Sequence, residues 1–235
     1  MKKFLAILFI LLGVGLLTYT PLRELYDEYE KNKLIEMYEK NNSDTDGDSN
    51  LQGSESEEEN ISDFYEYFSG LQTIVENRNS SESAGTNGDG TTGTNGEDNT
   101  EKKLKNVIGI ISIDKINVKL PIKNYFKEEE IWSSVGHIPG TANPGETGNC
   151  VIAGHRARAK GRLFNRLDEL ELGDTISITY NSNNFEYKVS EIKIVEPTDV
   201  SVLNSDKDEV SLTLITCHPV RVLSHRLIIK AILIP

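Results

Sequence analysis

The pattern of apolar and polar residues divides this chain into three parts. Residues 4–17 are almost all apolar. Residues 41–104 are mostly polar and acidic, apart from a short amphipathic segment at 61–75. From residue 105 onward, short apolar runs recur between turn-forming residues, and several of them alternate with a period of two. Because such alternation is typical of strands with one buried face, we predict that residues 105–235 form a folded domain rich in β-structure.

Individual elements of this domain can be placed from their patterns. Residues 107–113 and 118–122 are apolar enough for buried strands, and 175–180 alternates cleanly. The alternation of the next strand changes phase near Ser190, which predicts a β-bulge or a bend. Residues 161–170 are interpreted as a short helix. Many short strands with few helices predict an all-β domain, either a barrel or a sandwich.

The N-terminal apolar segment predicts a membrane anchor. With residues 18–20 it reaches about 17 residues, the lower limit for crossing a bilayer. No small-x-small cleavage site occurs near residues 18–21, which favours a retained anchor over a cleaved signal peptide. Lys2 and Lys3 are expected on the cytoplasmic side, which leaves the rest of the chain outside the cell.

Charge and composition describe the middle of the chain. The net charge is −12, and no basic stripe is present, so a nucleic-acid partner is not expected. Residues 80–100 repeat Gly, Asn, Thr and Ser, which predicts a flexible linker. The segment 61–75 is either a helix that docks on the folded domain or a transient helix within the linker.

Two cysteines carry the candidate chemistry. Cys150 lies within the apolar run 149–153 and is interpreted as a small buried hydrophobe. Cys217 ends the apolar run 212–217. We predict no disulfide between the two, so Cys217 is expected to be a free thiol. A nearby cation would lower its pKa and so favour the thiolate, the reactive form of cysteine.

Strand alternation predicts the direction of the Cys217 side chain. Leu212 and Leu214 form the better core face of their strand, and Cys217 lies on the opposite face. In the last strand, Leu227 belongs to the core face and Arg226 to the other. Cys217 and Arg226 are therefore expected side by side on an outward, more polar face.

Three short motifs resemble the sortase family. They are Thr213-Leu214-Ile215-Thr216-Cys217, His225-Arg226-Leu227 and Gly154-His155-Arg156. Sortases are membrane-bound cysteine transpeptidases that attach surface proteins to the cell wall of Gram-positive bacteria. The resemblance covers residues 107–235 and implies a closed eight-stranded β-barrel. The Thr-Cys-x-Pro and His-Arg-Leu arrangement, with the N-terminal anchor, is most similar to class D and next to class A.

This resemblance implies a domain organisation and a catalytic set. Residues 1–22 would be a transmembrane signal-anchor, 23–104 a juxtamembrane helix and acidic linker, and 105–235 the catalytic barrel. Cys217 would be the nucleophile, His155 the general acid/base and Arg226 the group that stabilises the oxyanion or substrate. The weaker candidates for the histidine and arginine roles are His137, His218, His225, Arg156 and Arg221.

The implied substrate is a C-terminal sorting signal of the Leu-Pro-x-Thr-Gly (LPxTG) type. Cleavage between Thr and Gly would give a thioacyl enzyme, and a cell-wall amine would then accept the surface protein. The connection before the Cys217 strand lines the substrate pocket in sortases, although ordinary loop packing explains each residue nearly as well. The candidate groove residues are Val200, Val202, Leu203 and Thr216.

No cofactor or metal is predicted. The acidic clusters at 128–130 and 168–171 are similar to the calcium-binding carboxylates of some sortases, but a solvated acidic surface is favoured. Two other functions stay open at this point. One is a membrane-anchored cysteine endopeptidase that hydrolyses its substrate, and the other is a non-catalytic surface binding module.

Overall fold

The computed structural model describes residues 2–43, 106–124, 133–157, 161–205, 208–220 and 222–235, with side chains from residue 21. The predicted linker, its amphipathic segment 61–75 and the acidic cluster 128–130 lie outside the described residues. The side chains of the apolar segment 4–17 are also outside the description.

Eight strands form a closed barrel in the order β1-β2-β3-β4-β7-β8-β6-β5. This confirms the predicted all-β, eight-stranded barrel. The strands are β1 (Val107–Ile113), β2 (Val118–Lys123), β3 (Val135–His137), β4 (Gly148–Ala153), β5 (Thr175–Tyr180), β6 (Asn183–Val195), β7 (Val210–His218) and β8 (His225–Leu233). Short 3₁₀ turns occupy Asp114–Ile116, Leu167–Glu169 and Val200–Leu203.

The pairing of β7 with its two neighbours determines which strand ends meet. β4 and β7 are parallel, whereas β7 and β8 are antiparallel. Parallel strands bring their carboxyl ends to the same edge of a sheet. The C-terminal ends of β4 and β7 and the start of β8 therefore lie together at one end of the barrel.

The barrel interior is filled by aliphatic and aromatic side chains. Burial of each such side chain contributes about 1.5–3 kcal/mol relative to exposure. The largest of the fully buried residues include Ile111, Ile113, Ile122, Ile152, Phe164, Leu167, Ile176 and Tyr187. A second apolar cluster is separate from this core and includes Ile138, Val151, Ala153, Val202, Ile215 and Ile228.

One long helix, α1 (Lys2–Ser43), precedes the barrel and packs against it. The Tyr38 hydroxyl donates to the Ile108 carbonyl oxygen at 2.8 Å. Helix α1 covers the outer side of β1, so both faces of that strand are buried, and both carry apolar side chains. The contact is made by Leu34, Ile35 and Tyr38 of the helix with Val107 and Ile110. Among the described residues, no helix is long and apolar enough to span a membrane.

Two local predictions can be compared directly with the structure. The predicted bulge near Ser190 is confirmed, since the β6–β8 register shifts between Val189 and Glu191. The predicted helix at 161–170 is wrong, because only a three-residue 3₁₀ turn forms there. Leu163 adopts φ 47°, a left-handed conformation that interrupts a right-handed helix.

Candidate active site

Cys217 and Arg226 lie directly opposite each other on β7 and β8. Opposed residues of an antiparallel pair project from the same face, so the predicted side-by-side placement is confirmed. Both residues lie outside the barrel core, as predicted, but their surroundings are apolar rather than polar. Cys217 is only 4% exposed and Arg226 only 1%. The outer face of the barrel is covered at this point.

The 3₁₀ turn between β6 and β7 packs on the same outer face, next to Cys217 and Arg226. Val202 and Leu203 of this turn pack on Ile215 and Ile228, which lie two residues from Cys217 and from Arg226 along their strands. These contacts make an apolar surface next to the thiol. Val200, by contrast, is 43% exposed and stands outside the cluster.

Backbone carbonyls hold the Arg226 guanidinium in place. Its Nη1 donates to the carbonyl oxygens of Leu223, at 3.2 Å, and His225, at 3.1 Å. Leu223 belongs to the β7–β8 connection, and His225 is the first residue of β8. These two hydrogen bonds therefore fix the guanidinium beside Cys217.

The exit of β4 brings His155 alongside the end of β7. The Gly154 N–H donates to the Ile215 carbonyl oxygen at 3.0 Å, which continues the parallel pairing past the end of β4. The Thr216 hydroxyl donates back to the Gly154 carbonyl oxygen at 2.8 Å. The register pairs Ala153 with Ile215. If it continues past the end of β4, His155 lies next to Cys217. Thr216 thus supports this turn through its hydroxyl, and its role in substrate binding stays a prediction.

Close packing at Gly154 indicates which way His155 faces. A Cβ at Gly154 would lie 2.5 Å from Phe164 Cδ2 and 2.9 Å from Val135 Cγ1, both in the barrel core. Since Gly154 faces the core, the next residue in an extended chain faces the opposite side. That side is the one on which Cys217 lies.

Substitution of Gly154 by alanine is expected to destabilise the protein by about 1–3 kcal/mol, because the added methyl group overpacks the core. Urea unfolding of the full chain in detergent micelles measures this loss. Phe164→Leu is the compensating change, since it removes ring atoms from the contact. The double variant should lose less than the sum of the two single losses. An alanine variant as stable as the parent would contradict the packing described here.

The other three histidines are engaged elsewhere in the described structure. Their ring contacts are His137 Nε2 with the Ala142 carbonyl oxygen at 3.0 Å, His218 Nδ1 with Arg156 Nη1 at 2.9 Å, and His225 Nε2 with Glu196 Oε1 at 3.3 Å. None of these contacts is to the Cys217 thiol. His155 therefore keeps first place among the four candidates for the acid/base role.

Opposing effects determine the protonation of Cys217. Burial raises the pKa of the thiol, while the guanidinium groups of Arg226 and Arg156 lower it, and the net pKa lies above its ordinary value. At neutral pH the resting group is therefore a thiol, which is a weaker nucleophile than the thiolate. A nearby base that accepts its proton is needed for reaction.

Cys150 and Cys217 are not joined by a disulfide. Cys150 is part of the barrel core, and burial raises the pKa of its thiol to about 12. Both interpretations from the sequence are confirmed: Cys150 is a buried hydrophobe and Cys217 a free thiol.

Arg156 is a residue whose role the sequence did not reveal. Its side chain is buried and contacts the backbone of Cys217, although it was only a weaker candidate for the role of Arg226. The sequence feature that could have indicated this role is the position of Arg156 directly after His155. Arg221, the other weaker candidate, lies outside the described residues.

The acidic residues at 168–171 form ion pairs with basic side chains. The pairs are Asp168–Arg156 at 2.7 Å, Glu169–Arg166 at 2.6 Å and Glu171–Lys115 at 2.7 Å. Within the described ranges, no group of three potential metal-ligating side chains occurs. Each of these three carboxylates is therefore paired with a basic side chain.

The free energy of unfolding is expected to fall as the pH drops below about 6.5, the ordinary pKa of histidine. Burial lowers the pKa of His137, and burial and the Arg156 cation lower that of His218. Both histidines bind protons more readily in the unfolded chain. Their contribution is complete above the unfolded pKa and is lost as the pH falls through the lower folded pKa.

Urea unfolding at about pH 7 and about pH 5, on either side of the histidine range, tests this. His137→Gln should make the stability less dependent on pH. Equal stability of the parent protein at both pH values would contradict the assignment of these two pKa shifts.

Comparison with known proteins agrees with this geometry. A family model described as a sortase domain matches residues 111–234. Sortase D of Bacillus subtilis (strain 168) is 34% identical over 111 residues, 47% of this chain and 54% of that protein. Sortase A of Bacillus anthracis is 34% identical over 131 residues, 55% of this chain and 61% of that protein. The chain thus spans between half and two thirds of the length of these curated relatives.

Solved structures give the same result. Sortase C1 from Streptococcus agalactiae has a TM-score of 0.53 and 34% identity, covering 56% of this chain and 69% of that one. A sortase D5 transpeptidase from Clostridium perfringens has a TM-score of 0.51 and 36% identity, covering 60% of this chain and 90% of that one. Since the family model covers just over half of the chain and the barrel matches, this chain belongs to the sortase family.

Proposed function

We propose that this protein is a cysteine transpeptidase. It cleaves an LPxTG-like sorting signal between Thr and Gly and transfers the surface protein to a cell-wall amine. The observation that carries the proposal is the pairing of Cys217 with Arg226 across β7 and β8. His155 follows the parallel strand β4, on the other side of β7.

The first half of the reaction uses Cys217 and His155. His155 accepts the thiol proton as the Cys217 sulfur attacks the threonine carbonyl carbon, which forms the C–S bond of a tetrahedral intermediate. Collapse of this intermediate breaks the Thr–Gly C–N bond, and His155 returns the proton to the departing amine. The product that stays bound is a thioacyl enzyme.

Arg226 stabilises the negative charge that develops on the threonine carbonyl oxygen. A fixed donor of this kind contributes roughly 3 kcal/mol to lowering the barrier. The two backbone carbonyls that hold its Nη1 fix its position before substrate arrives. In the second half, an incoming amine attacks the thioester carbonyl carbon and His155 takes a proton from that amine. The C–S bond then breaks, and His155 passes the proton to the departing Cys217 sulfur.

The apolar cluster beside Cys217 binds the Leu-Pro part of the signal. Val202 and Leu203 cover Ile215 and Ile228, so a peptide that lies along this face meets aliphatic side chains on the side of the β6–β7 connection. Val200 is at the exposed rim and contributes less. Burial of a leucine side chain here contributes about 1.5–3 kcal/mol to binding.

The protein is a single-pass membrane protein with its N-terminus in the cytoplasm and the barrel outside. The apolar segment after Lys2 and Lys3 supports this orientation. Helix α1 contains that segment, and Leu34 is the first fully buried residue among those whose side chains are described. With a rise of 1.5 Å per residue, Leu34 lies roughly 18 Å along the helix from residue 22. The barrel is then held close to the membrane, where exported proteins and wall precursors meet.

An amine-dependence assay tests the proposal. The full chain in detergent micelles is incubated with an LPxTG peptide, with and without an oligoglycine amine, and the products are separated by mass spectrometry. We expect the peptide–oligoglycine conjugate when amine is present, and a peptide with the same composition in scrambled order should not react. Hydrolysis alone in the presence of amine would favour the endopeptidase. Binding without cleavage, unchanged in Cys217→Ala, would favour the binding module.

A further inference from the structure

Arg156 connects three separate parts of the active site. Its Nη1 donates to the Cys217 carbonyl oxygen at 3.3 Å and lies 2.9 Å from His218 Nδ1. Its Nη2 lies 2.7 Å from Asp168 Oδ1, and the arginine side chain is only 1% exposed. The residue directly before it in the chain is His155. One buried guanidinium thus joins the end of β7, the 3₁₀ turn that contains Asp168 and the segment that carries His155.

We propose that Arg156 is a positioning residue, whose guanidinium fixes the backbone of Cys217 relative to His155. The inference rests on the proposed function, in which the distance between the thiol and the imidazole controls the rate. A misplacement of about 1 Å between reacting groups can reduce a rate by 10²-fold. Arg156 directly follows His155, and its hydrogen bond to the Cys217 carbonyl oxygen limits such displacement.

The geometry requires an arginine. Its planar guanidinium carries five N–H donors, whereas a lysine ammonium is a compact point charge on a flexible stem. Nη1 serves two acceptors on β7 while Nη2 serves Asp168 on a different element. A buried cation is costly unless an opposite charge compensates it. Asp168, 47% exposed, supplies that charge from the solvent side.

The bond to His218 defines the state of that ring. Because Arg156 can only donate, His218 Nδ1 must be the acceptor, and the ring is neutral with its proton on Nε2. Burial is the main cause of the lowered pKa of His218, and the positive charge of Arg156 lowers it further. The Arg156 charge also lowers the pKa of Cys217, next in size to the effect of Arg226. Removal of this charge should therefore raise the pKa of the thiol further.

Two substitutions separate the positional effect from the electrostatic one. Arg156→Lys keeps the charge but lacks the planar fork that reaches β7 and Asp168 at once, and Arg156→Gln loses both the charge and the fork. The full chain in detergent micelles, in a Cys150→Ala background, is alkylated with iodoacetamide across a range of pH. The kcat and KM for an LPxTG peptide are measured on the same samples, and thermal unfolding checks the fold. Arg166→Lys is the matched control, because Arg166 bonds to Glu169 in the same turn and has no described bond to Cys217.

For Arg156→Lys, kcat should fall about 10- to 100-fold with KM little changed, because orientation is lost, while the alkylation midpoint stays near that of the parent. Arg156→Gln should show a similar loss of kcat and a midpoint moved to higher pH. The proposal is overturned if both variants keep the parent kcat. It is also overturned if kcat falls only in proportion to the amount of folded protein while both alkylation profiles stay unchanged.

Asp168→Asn provides a second route if Arg156→Gln does not fold. Loss of the counter-ion at this half-exposed site should lower kcat in the same direction by a smaller factor, and an unchanged kcat would overturn the proposal. Failure of the proposed function gives a different result. In that case the parent protein transfers no peptide, yet the Cys217 alkylation midpoint still differs between Arg156→Gln and the parent.

Discussion

Cys217→Ala is expected to reduce peptide cleavage and transfer by at least about 10⁴-fold, by analogy with removal of other catalytic nucleophiles. No second thiol can replace it. Cys150 is part of the barrel core, and the pKa of its thiol is raised to about 12. The variant should still fold, because the substitution removes one sulfur from the covered outer face and leaves the core intact. Product formation by mass spectrometry and thermal unfolding measure the two effects.

Cys150→Ala is the matched control, since it removes the only other cysteine. It should cost about 1 kcal/mol of stability, a usual value for a point substitution, and should leave the rate of transfer close to that of the parent. Transfer by Cys217→Ala at more than a few per cent of the parent rate would show that the thiol is not the nucleophile.

His155→Gln is expected to lower kcat by about 10²- to 10⁴-fold, the usual contribution of a general acid–base group. The resting thiol of Cys217 has a raised pKa, so loss of the proton acceptor affects nucleophilic attack as well as departure of the amine. Glutamine is close to histidine in size and should preserve the fold. The pH dependence of kcat should also lose the limb that reports the imidazole.

The control for His155 is His225→Gln. The His225 ring bonds to Ser224 Oγ at 2.8 Å and faces Glu196, so its loss should change kcat little. Equal losses in the two variants would assign the effect to general disturbance of the β7–β8 end rather than to proton transfer by His155.

Features of the site that depend on local alternation were predictable from the sequence. The period of two along β7 and β8 placed Cys217 and Arg226 on one face, and their direct pairing follows from the antiparallel register. The bulge at Ser190 was predictable for the same reason, because a change of phase is visible within one strand.

Features that depend on contacts between distant segments were not predictable. The outer face of β7 was expected to be polar, but Val202 of the β6–β7 connection packs on Ile215 there. The role of Arg156 depends on the Cys217 carbonyl, 61 residues away in the chain. Neither contact leaves a periodic signal in the sequence.

The segment at 161–170 shows how a local pattern can mislead. Its apolar residues are spaced as on a helix, yet Leu163, Phe164 and Leu167 are all buried in the barrel core while the backbone turns irregularly. The apolar spacing therefore comes from packing of these three side chains against the barrel core and not from a helix. Gly154 allows Phe164 to pack in this position, since only a residue without a side chain fits against the ring.

If the proposed function is correct, Cys217 forms a covalent acyl bond with a sorting-signal peptide. The direct measurement is the intact mass of the full chain after brief incubation with an LPxTG peptide in the absence of amine, followed by acid quenching. We expect an added mass equal to the peptide acyl fragment ending at Thr, located on Cys217 by fragmentation and absent in Cys217→Ala. Turnover of the peptide with no adduct on Cys217, or an adduct that persists in Cys217→Ala, would contradict it.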